Sequence, residues 1–280
     1  MSVELVRKYA PATDELFKAE SKISLLTNTD YDWSGANSVL IYKISTAEMN
    51  DYKRNSTGVD DDTISRYGVL ADLNATTEEH LLKKDRSFIF NIDKLDTDET
   101  AGQLEAGKCL ARQLREVVIP EVDSYVYQTM VDNAGTKITG TIEGGQDLYS
   151  KITAANEALD DAEVPETARV LVVNPAVYRT LKLTTEFYDG TSISEEMRKR
   201  GVIAMLDGLQ VIKVPASRLP ENFGFMVAHP SATVAPTKLA DYHVHKDTPL
   251  SSGSIVTGRI CYDCFVLDNK KTGIYCFMLG

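Results

Sequence analysis

Apolar residues recur at helical spacing over residues 96–130, which is the strongest helical pattern in the chain. The positions that repeat every three, four or seven residues are Leu104, Ala111, Leu114, Val118, Val122 and Tyr125. Asp96 and Thr97 are the predicted capping residues, and the acidic residues that follow suit the positive end of the helix dipole. If continuous, this helix would be about 50 Å long.

Pro120 lies inside this helical pattern and raises a question about its continuity. Proline has no N–H to donate to the carbonyl group four residues earlier, and its ring clashes with that carbonyl in a regular helix. Two interpretations remain open. Pro120 either begins a second helix in its first turn, where the N–H is not needed, or bends one long helix.

A long polar segment lies between two predicted strands near the N-terminus. Residues 38–44 (SVLIYKI) read as one strand, and residues 86–92 alternate with Phe88, Phe90 and Ile92 on one face, so we expect these two strands to pair. Residues 45–68 between them carry both signs of charge and few aliphatic side chains. Such a segment is either a two-stranded loop that becomes ordered against another chain or a solvated insertion.

The remaining pattern predicts mixed helices and strands, and therefore an α+β protein. A helix over residues 147–160 has one apolar stripe, a strand follows at residues 169–173, and Asn174 caps a short helix over residues 175–183. Asp207-Gly208 predicts a two-residue hairpin turn. Further strands are expected at residues 223–228, 242–246, 254–267 and 273–277. We expect the last two to form a terminal hairpin around residues 269–272.

Composition limits the classes of function. The formal net charge is −11, which disfavours tight binding to nucleic-acid phosphates, because that binding needs clustered Lys and Arg. No apolar run approaches the roughly 20 residues that span a bilayer, so we expect no membrane partner. The four cysteines show no disulfide framework, so we expect reduced thiols.

Three short motifs suggest chemistry, but none is complete. Residues 102–109 (GQLEAGKC) match a phosphate-binding loop except that Cys109 replaces the final Ser or Thr. Residues 261–264 (CYDC) have zinc-site spacing, but a strand would direct the two cysteines to opposite faces. His243 and His245 would share a strand face without a clear third metal ligand. We therefore predict no catalytic residues, no metal site and no cofactor.

Four phrases in order carry a family resemblance: FIFNIDKLDTDET (88–100), LARQLREVVIPEVDSYVY (110–127), ARVLVVNPAVYRTL (168–181) and GRICYDCFVLDNKKTGIYC (258–276). The order of the predicted parts and these phrases resemble tailed-bacteriophage major capsid proteins of the Hong Kong 97-like fold. The resemblance extends over nearly the whole chain. It implies a structural protein and not an enzyme.

The resemblance also implies a division of the chain into four parts. These are an N-terminal arm (1–37), an extended β loop (38–94), a peripheral domain with a long spine helix (95–133 and 247–280) and an α/β axial domain (134–246). Pro120 would then bend the spine helix along a curved shell wall. Charged loop residues would contact neighbouring subunits, namely Lys53, Arg54, Asp60, Asp61, Asp62 and Arg66.

The function implied is that of a major capsid protein, which assembles into pentamers and hexamers of an icosahedral head around double-stranded DNA. The implied partners are further copies of the chain, a separate scaffolding protein, a portal, and packaged DNA without sequence-specific binding. The implied location is the virion capsid, with assembly in the host cytoplasm. Three alternatives remain open: an encapsulin-like compartment, a soluble metal-dependent enzyme that uses His243, His245 and the cysteines Cys261 and Cys264, and an adaptor domain whose loop folds on one partner.

Overall fold

The computed structural model describes residues 20–28, 38–52, 54, 66–67, 72–99, 105–183, 202–246 and 252–280. The chain divides into two compact units, residues 33–82 and residues 1–32 with 83–280. The α-helices described are α1 Lys94–Glu99, α2 Ala106–Gln113, α3 Ile119–Asp132, α4 Gly145–Asp161 and α5 Pro175–Leu181. The strands described are β1 Ser38–Ile44, β2 Ala75–Leu81, β3 Lys84–Asp93, β4 Thr136–Gly140, β5 Val170–Val173, β6 Val202–Leu206, β7 Leu209–Lys213, β8 Phe223–Ala228, β9 Thr233–Val234, β10 Thr237–Lys246, β11 Gly253–Tyr262, β12 Phe265–Val266 and β13 Ile274–Leu279.

A six-stranded sheet forms the centre of the larger unit, in the order β4-β13-β8-β5-β7-β6. Its pairs are antiparallel except for β13 with β4 and β5 with β7. Every residue of β5 and β8 is buried, because these inner strands are covered on both faces. The predicted strands at residues 169–173 and 223–228 are therefore confirmed.

Helices cover both faces of this sheet and make two hydrophobic cores. On one face, α3 packs Val126, Tyr127 and Met130 against β5, β8 and β13, and Leu26 of the N-terminal segment joins this core. On the other face, α4 and α5 pack against the same strands. The predicted stripe of α4 is confirmed, since Leu148, Ile152, Ala155 and Leu159 are all buried.

Local turn and cap predictions are also confirmed. The side chain of Asn174 accepts a hydrogen bond from the backbone N–H of Val177 at 2.7 Å and so caps α5. Asp207 and Gly208 both have positive φ, 49° and 76°, which is the geometry of a two-residue hairpin turn between β6 and β7.

The larger unit also contains a three-stranded antiparallel sheet, in the order β10-β11-β3. Phe88, Phe90 and Ile92 point to one face of β3, as predicted, whereas Ile89 between them is 70% exposed. The expected pairing of β3 with β1 is wrong, because β3 pairs with β11 and β1 pairs with β2. Strand β2 was not predicted, because its sequence, ATTEEHL, has almost no apolar alternation.

The predicted long helix differs from the structure at its beginning. Helix α1 begins at Lys94, and Asp93, not Asp96 or Thr97, accepts a hydrogen bond from the N–H of Leu95 at 2.9 Å. Glu105 then has extended backbone angles, so residues 96–130 are not one continuous helix. The helical backbone is unbroken from Ala106 to Asp132.

The predicted terminal hairpin is also wrong. Strand β12 pairs with β9, whereas β13 enters the six-stranded sheet between β4 and β8. The connecting residues, Asp268–Gly273, form a 3-10 helix. The whole connection, residues 267–273, is long enough to pass from one sheet to the other, so closeness along the chain did not decide the pairing. The four-part division of the chain remains a prediction. Strand β13, which that division assigns to the peripheral domain, pairs inside the six-stranded sheet.

Candidate assembly interface

The smaller unit, residues 33–82, is built around a two-stranded sheet. Strands β1 and β2 pair antiparallel from Ser38 opposite Leu81 to Ile44 opposite Ala75. A two-stranded sheet by itself is marginally stable in water, because it buries little apolar surface. The described part of this unit contains no other strand or helix, so it gains little stability from its own secondary structure.

One face of this two-stranded sheet is held by a small charged cluster. The carboxylate of Glu78 lies 2.8 Å from the Lys43 ammonium and 2.8 Å from Nε2 of His80. All three side chains are at least three-quarters buried, with exposed fractions of 23% for Lys43, 12% for Glu78 and 16% for His80. Partial burial strengthens such contacts relative to exposed ion pairs. The ion pair between Lys43 and Glu78 joins β1 to β2.

The other residues of this unit expose large apolar side chains. The exposed fractions are 69% for Ile44, 100% for Met49, 52% for Tyr52, 78% for Tyr67, 61% for Leu73 and 52% for Leu81. The rings of Tyr52 and Tyr67 contact each other edge to face, with centroids 5.1 Å apart. Six large apolar side chains exposed within one short unit are candidates for burial against another macromolecule. We call these six side chains the apolar loop surface.

The charged residues predicted to contact neighbouring subunits lie in the same unit. Arg54 and Arg66 are exposed. Lys53, Asp60, Asp61 and Asp62 lie outside the described residues. The structure thus brings two of the six predicted contact residues into the region of the apolar loop surface.

Pro120 is the second residue of α3, directly after a π-helical turn over Leu114–Val118. In that turn the N–H of Ile119 donates to the carbonyl of Leu114, five residues earlier. The wider turn changes the positions of the carbonyl groups that a proline ring would meet in a regular α-helix. An α-helical stretch begins at Ile119, and the backbone stays helical through Pro120. Whether the helix bends around a shell remains a prediction.

A buried ion pair joins α3 to the N-terminal segment and to the loop after β7. The Arg218 guanidinium lies 2.6 Å from the Asp123 carboxylate, and both side chains are nearly fully buried. The hydroxyl of Ser21 donates to the same carboxylate at 2.7 Å. Burial raises the pKa of Asp123, while the hydrogen bond from Ser21 and the charge of Arg218 act in the opposite direction. No periodicity in the sequence indicated this cluster.

The histidine and cysteine motifs lie on the paired strands β10 and β11 and in the turn that follows β11. His243 and His245 are exposed on β10, where His243 contacts Asp241 at 2.7 Å and His245 contacts Thr257 at 3.1 Å. All four cysteines are free thiols, and burial raises the pKa of Cys276 to about 12. In the described part of the chain, no three His, Cys, Asp or Glu side chains are grouped to hold a metal ion.

The phosphate-loop motif also differs from a binding loop. Its described residues, from Glu105 onward, begin α2, and the ammonium of Lys108 lies 3.4 Å from the Glu105 carboxylate. No helix of the described ranges is long and apolar enough to cross a membrane.

The family model described as phage capsid protein matches residues 81–259, which is more than half of the chain. The chain belongs to the phage capsid protein family. No curated protein matches this sequence. Membership of the phage capsid family means that the protein is a structural protein of the virion and not an enzyme. The family also implies a shell built from many copies.

Solved structures give the fold. A chain from Mycobacterium phage Che8 is 23% identical, with a TM-score of 0.73 over 98% of this chain and 96% of that one. The capsid structure of cyanophage P-SCSP1u is 13% identical, with a TM-score of 0.71 over 98% and 93% of the two chains. A mature capsid of bacteriophage PhiM1 is 13% identical, with a TM-score of 0.70 over 98% and 91%. The α+β capsid fold expected from the sequence is confirmed.

Proposed function

We propose that copies of this capsid protein form pentamers and hexamers of an icosahedral head, and that residues 33–82 of one copy pack on the next copy. The observation that carries the proposal is the apolar loop surface, which lies on a unit whose described part contains only the two-stranded β1–β2 sheet. Each large apolar side chain that becomes fully buried contributes about 1.5–3 kcal/mol. Six such side chains give a neighbouring copy enough surface to order the loop.

A loop that packs on a different surface of the next copy makes a head-to-tail contact. Contacts of this kind generate rings when the rotation between copies closes. Pentamers and hexamers are two such closures of one contact, so the same loop serves both.

Charged residues of the loop supply register in this proposal. Arg54 and Arg66 are exposed, and Lys53, Asp60, Asp61 and Asp62 belong to the same segment. Exposed ion pairs contribute only about 0–1 kcal/mol each. These ion pairs therefore add specificity to the contact, whereas burial of the apolar side chains supplies most of its free energy.

The proposed contents of the head are double-stranded DNA without sequence-specific binding. A net charge of −11 disfavours adhesion of the wall to DNA, which suits a container whose contents must enter and leave. Assembly in the host cytoplasm, a separate scaffolding protein and a portal complete the proposal. The match to the phage capsid protein family favours a phage head over the encapsulin-like alternative.

The test is assembly of the full chain, measured by light scattering after size-exclusion chromatography and by negative-stain electron microscopy. The wild-type chain is expected to form rings, tubes or closed shells, alone or when expressed with the other head genes of its phage. Subunits that stay monomeric under both conditions would contradict the proposal.

A paired variant tests the loop contact itself. Ile44→Ser with Leu81→Ser removes two exposed apolar side chains from one face of the β1–β2 sheet. Thr77→Ser with Glu79→Ser changes two exposed polar residues on the same face and serves as the matched control. We expect the first pair to lower the assembled fraction about tenfold or more, because about 3 kcal/mol of burial is lost, and the control to assemble normally. Equal assembly of both pairs would exclude this face from the contact.

A further inference from the structure

A single buried carboxylate joins three distant parts of the larger unit. Asp263 lies in the turn between β11 and β12 and is 5% exposed. Its carboxylate accepts hydrogen bonds from the Tyr125 hydroxyl at 2.6 Å, the backbone N–H of Cys264 at 2.7 Å and the backbone N–H of Lys83 at 3.0 Å. These donors belong to helix α3, to the turn itself and to the residue before β3.

Lys83, one of the donors to Asp263, lies at the point where the chain enters the larger unit. Residues 33–82 form the smaller unit, so Lys83 is the first residue of the larger unit after the loop. The next residue, Lys84, begins β3 and holds its ammonium 4.9 Å from the centre of the Tyr125 ring. Two consecutive residues at the root of the loop are therefore fixed on Asp263 and on its partner Tyr125.

The chemistry of the cluster favours a fixed backbone position. Among the described residues, the three hydrogen-bond donors to Asp263 are all neutral, so its charge is stabilised by hydrogen bonds. Such charge-assisted bonds are shorter and stronger than neutral ones. Tyr125 is itself held edge to face by Tyr262, with ring centroids 5.8 Å apart. Burial and the hydrogen bond to Asp263 raise the pKa of Tyr125, so its hydroxyl stays a donor.

We propose that Asp263 is a positioning residue for assembly, which fixes the root of the loop of residues 33–82 on helix α3 and so presents the loop to the next copy. The proposal rests on the proposed function. A loop whose root is fixed loses less conformational freedom when it binds, and this preorganisation raises affinity without a new contact. A loosened root leaves both hydrophobic cores intact but makes the loop a poorer ligand.

The first test removes one N–H group. Lys83→Pro deletes the donor to Asp263, and Lys83→Ala deletes the side chain while keeping that donor, so the two variants separate the hydrogen bond from the lysine. In unassembled subunits we expect Lys83→Pro to increase hydrogen exchange at the Lys84 and Asp85 amides about tenfold or more. We expect it to lower the assembled fraction by a similar factor. Lys83→Ala is expected to match the wild type in both measurements.

A second pair of variants tests the carboxylate from its other side. Asp263→Asn keeps the size of the side chain but replaces one carboxylate oxygen with an NH₂ group. That NH₂ group cannot accept the hydrogen bond that the oxygen accepted, so one hydrogen bond is lost. Tyr125→Phe removes only the hydroxyl. We expect both to increase exchange at the loop root and to reduce assembly, Asp263→Asn more strongly, while cooperative unfolding is retained. If Lys83→Pro does not fold, these two variants decide the question.

The outcomes separate this inference from the proposed function. Wild-type shells together with normal assembly and normal exchange in Lys83→Pro, Asp263→Asn and Tyr125→Phe would overturn the role of Asp263 and leave the capsid proposal standing. Increased exchange at the loop root with normal assembly would also overturn it, since the cluster would then be purely structural. A wild-type chain that never assembles would instead contradict the proposed function.

Discussion

Asp123 and Arg218 show how much one buried pair contributes at the scale of single residues. Each side chain is nearly fully buried, so each charge is compensated by its partner within the protein. We expect Arg218→Met to reduce the free energy of unfolding by about 3–5 kcal/mol, because it leaves a buried carboxylate without its partner. The double variant Asp123→Asn with Arg218→Met should recover part of that loss, since it leaves no buried charge. Chemical denaturation of the unassembled subunit measures both.

The same pair has a defined dependence on pH. Burial raises the pKa of Asp123 in the folded state above its value in the unfolded chain, so the folded state binds the proton more tightly. The contribution to stability is therefore greatest below the unfolded pKa and falls as pH rises from there to the folded pKa. Arg218→Met removes the positive charge that opposes the rise in the pKa of Asp123. The fall in stability with pH should therefore be larger in this variant and extend to higher pH. Unfolding curves from about pH 4 to about pH 8 should show this slope in the single variant but not in the double variant. A flat profile in Arg218→Met would mean that water reaches the carboxylate.

At the scale of elements, Pro120 and the π-helical turn before it form one feature of the long helix. The proline cannot donate to Glu116, and the turn over residues 114–118 is where the regular pattern of hydrogen bonds changes. We expect Pro120→Ala to allow a regular α-helix through this region, with a change in stability within about 1 kcal/mol, because alanine is a good helix former.

The effect of Pro120→Ala on assembly tests its predicted role in the shell. If the proline bends the helix along a curved wall, the variant should form particles with an altered or broader distribution of diameters, measured by electron microscopy. Pro175→Ala is the matched control, because Pro175 also lies at the beginning of a helix, far along the chain from α3. Particles of unchanged diameter from Pro120→Ala would remove the proline from the account of shell curvature.

The elements also show where sequence reasoning succeeded. Helix α4, the cap of α5 by Asn174 and the turn at Asp207-Gly208 were predicted correctly, because each depends on residues close together in the chain. Strand β2 was missed because its mostly exposed residues carry no apolar alternation. The beginning of the long helix was misplaced because several acidic residues near Asp93 can each act as an N-cap. Only the neighbouring structure selected one of them.

At the scale of the whole molecule, net charge predicts the electrostatic interaction between the shell and DNA. With 30 basic and 41 acidic residues, the assembled wall should repel DNA on average. We expect unassembled subunits to leave a short DNA duplex unbound at micromolar concentration and near-physiological salt, as measured by fluorescence anisotropy. Tight binding that weakens steeply with salt would reveal a clustered basic surface that the average charge conceals.

The sequence by itself determined helix α4, the cap of α5, the turn at Asp207-Gly208 and the resemblance to phage capsid proteins. These depend on periodicity, turn chemistry and the order of parts, all of which are written along the chain. The tertiary structure alone decided that β13 inserts between β4 and β8, that β1 pairs with β2, and that Asp263 meets Tyr125 and Lys83. Such contacts join residues more than a hundred positions apart in the case of Asp263. Their free energy comes from burial and hydrogen bonding, which exist only once the chain has folded.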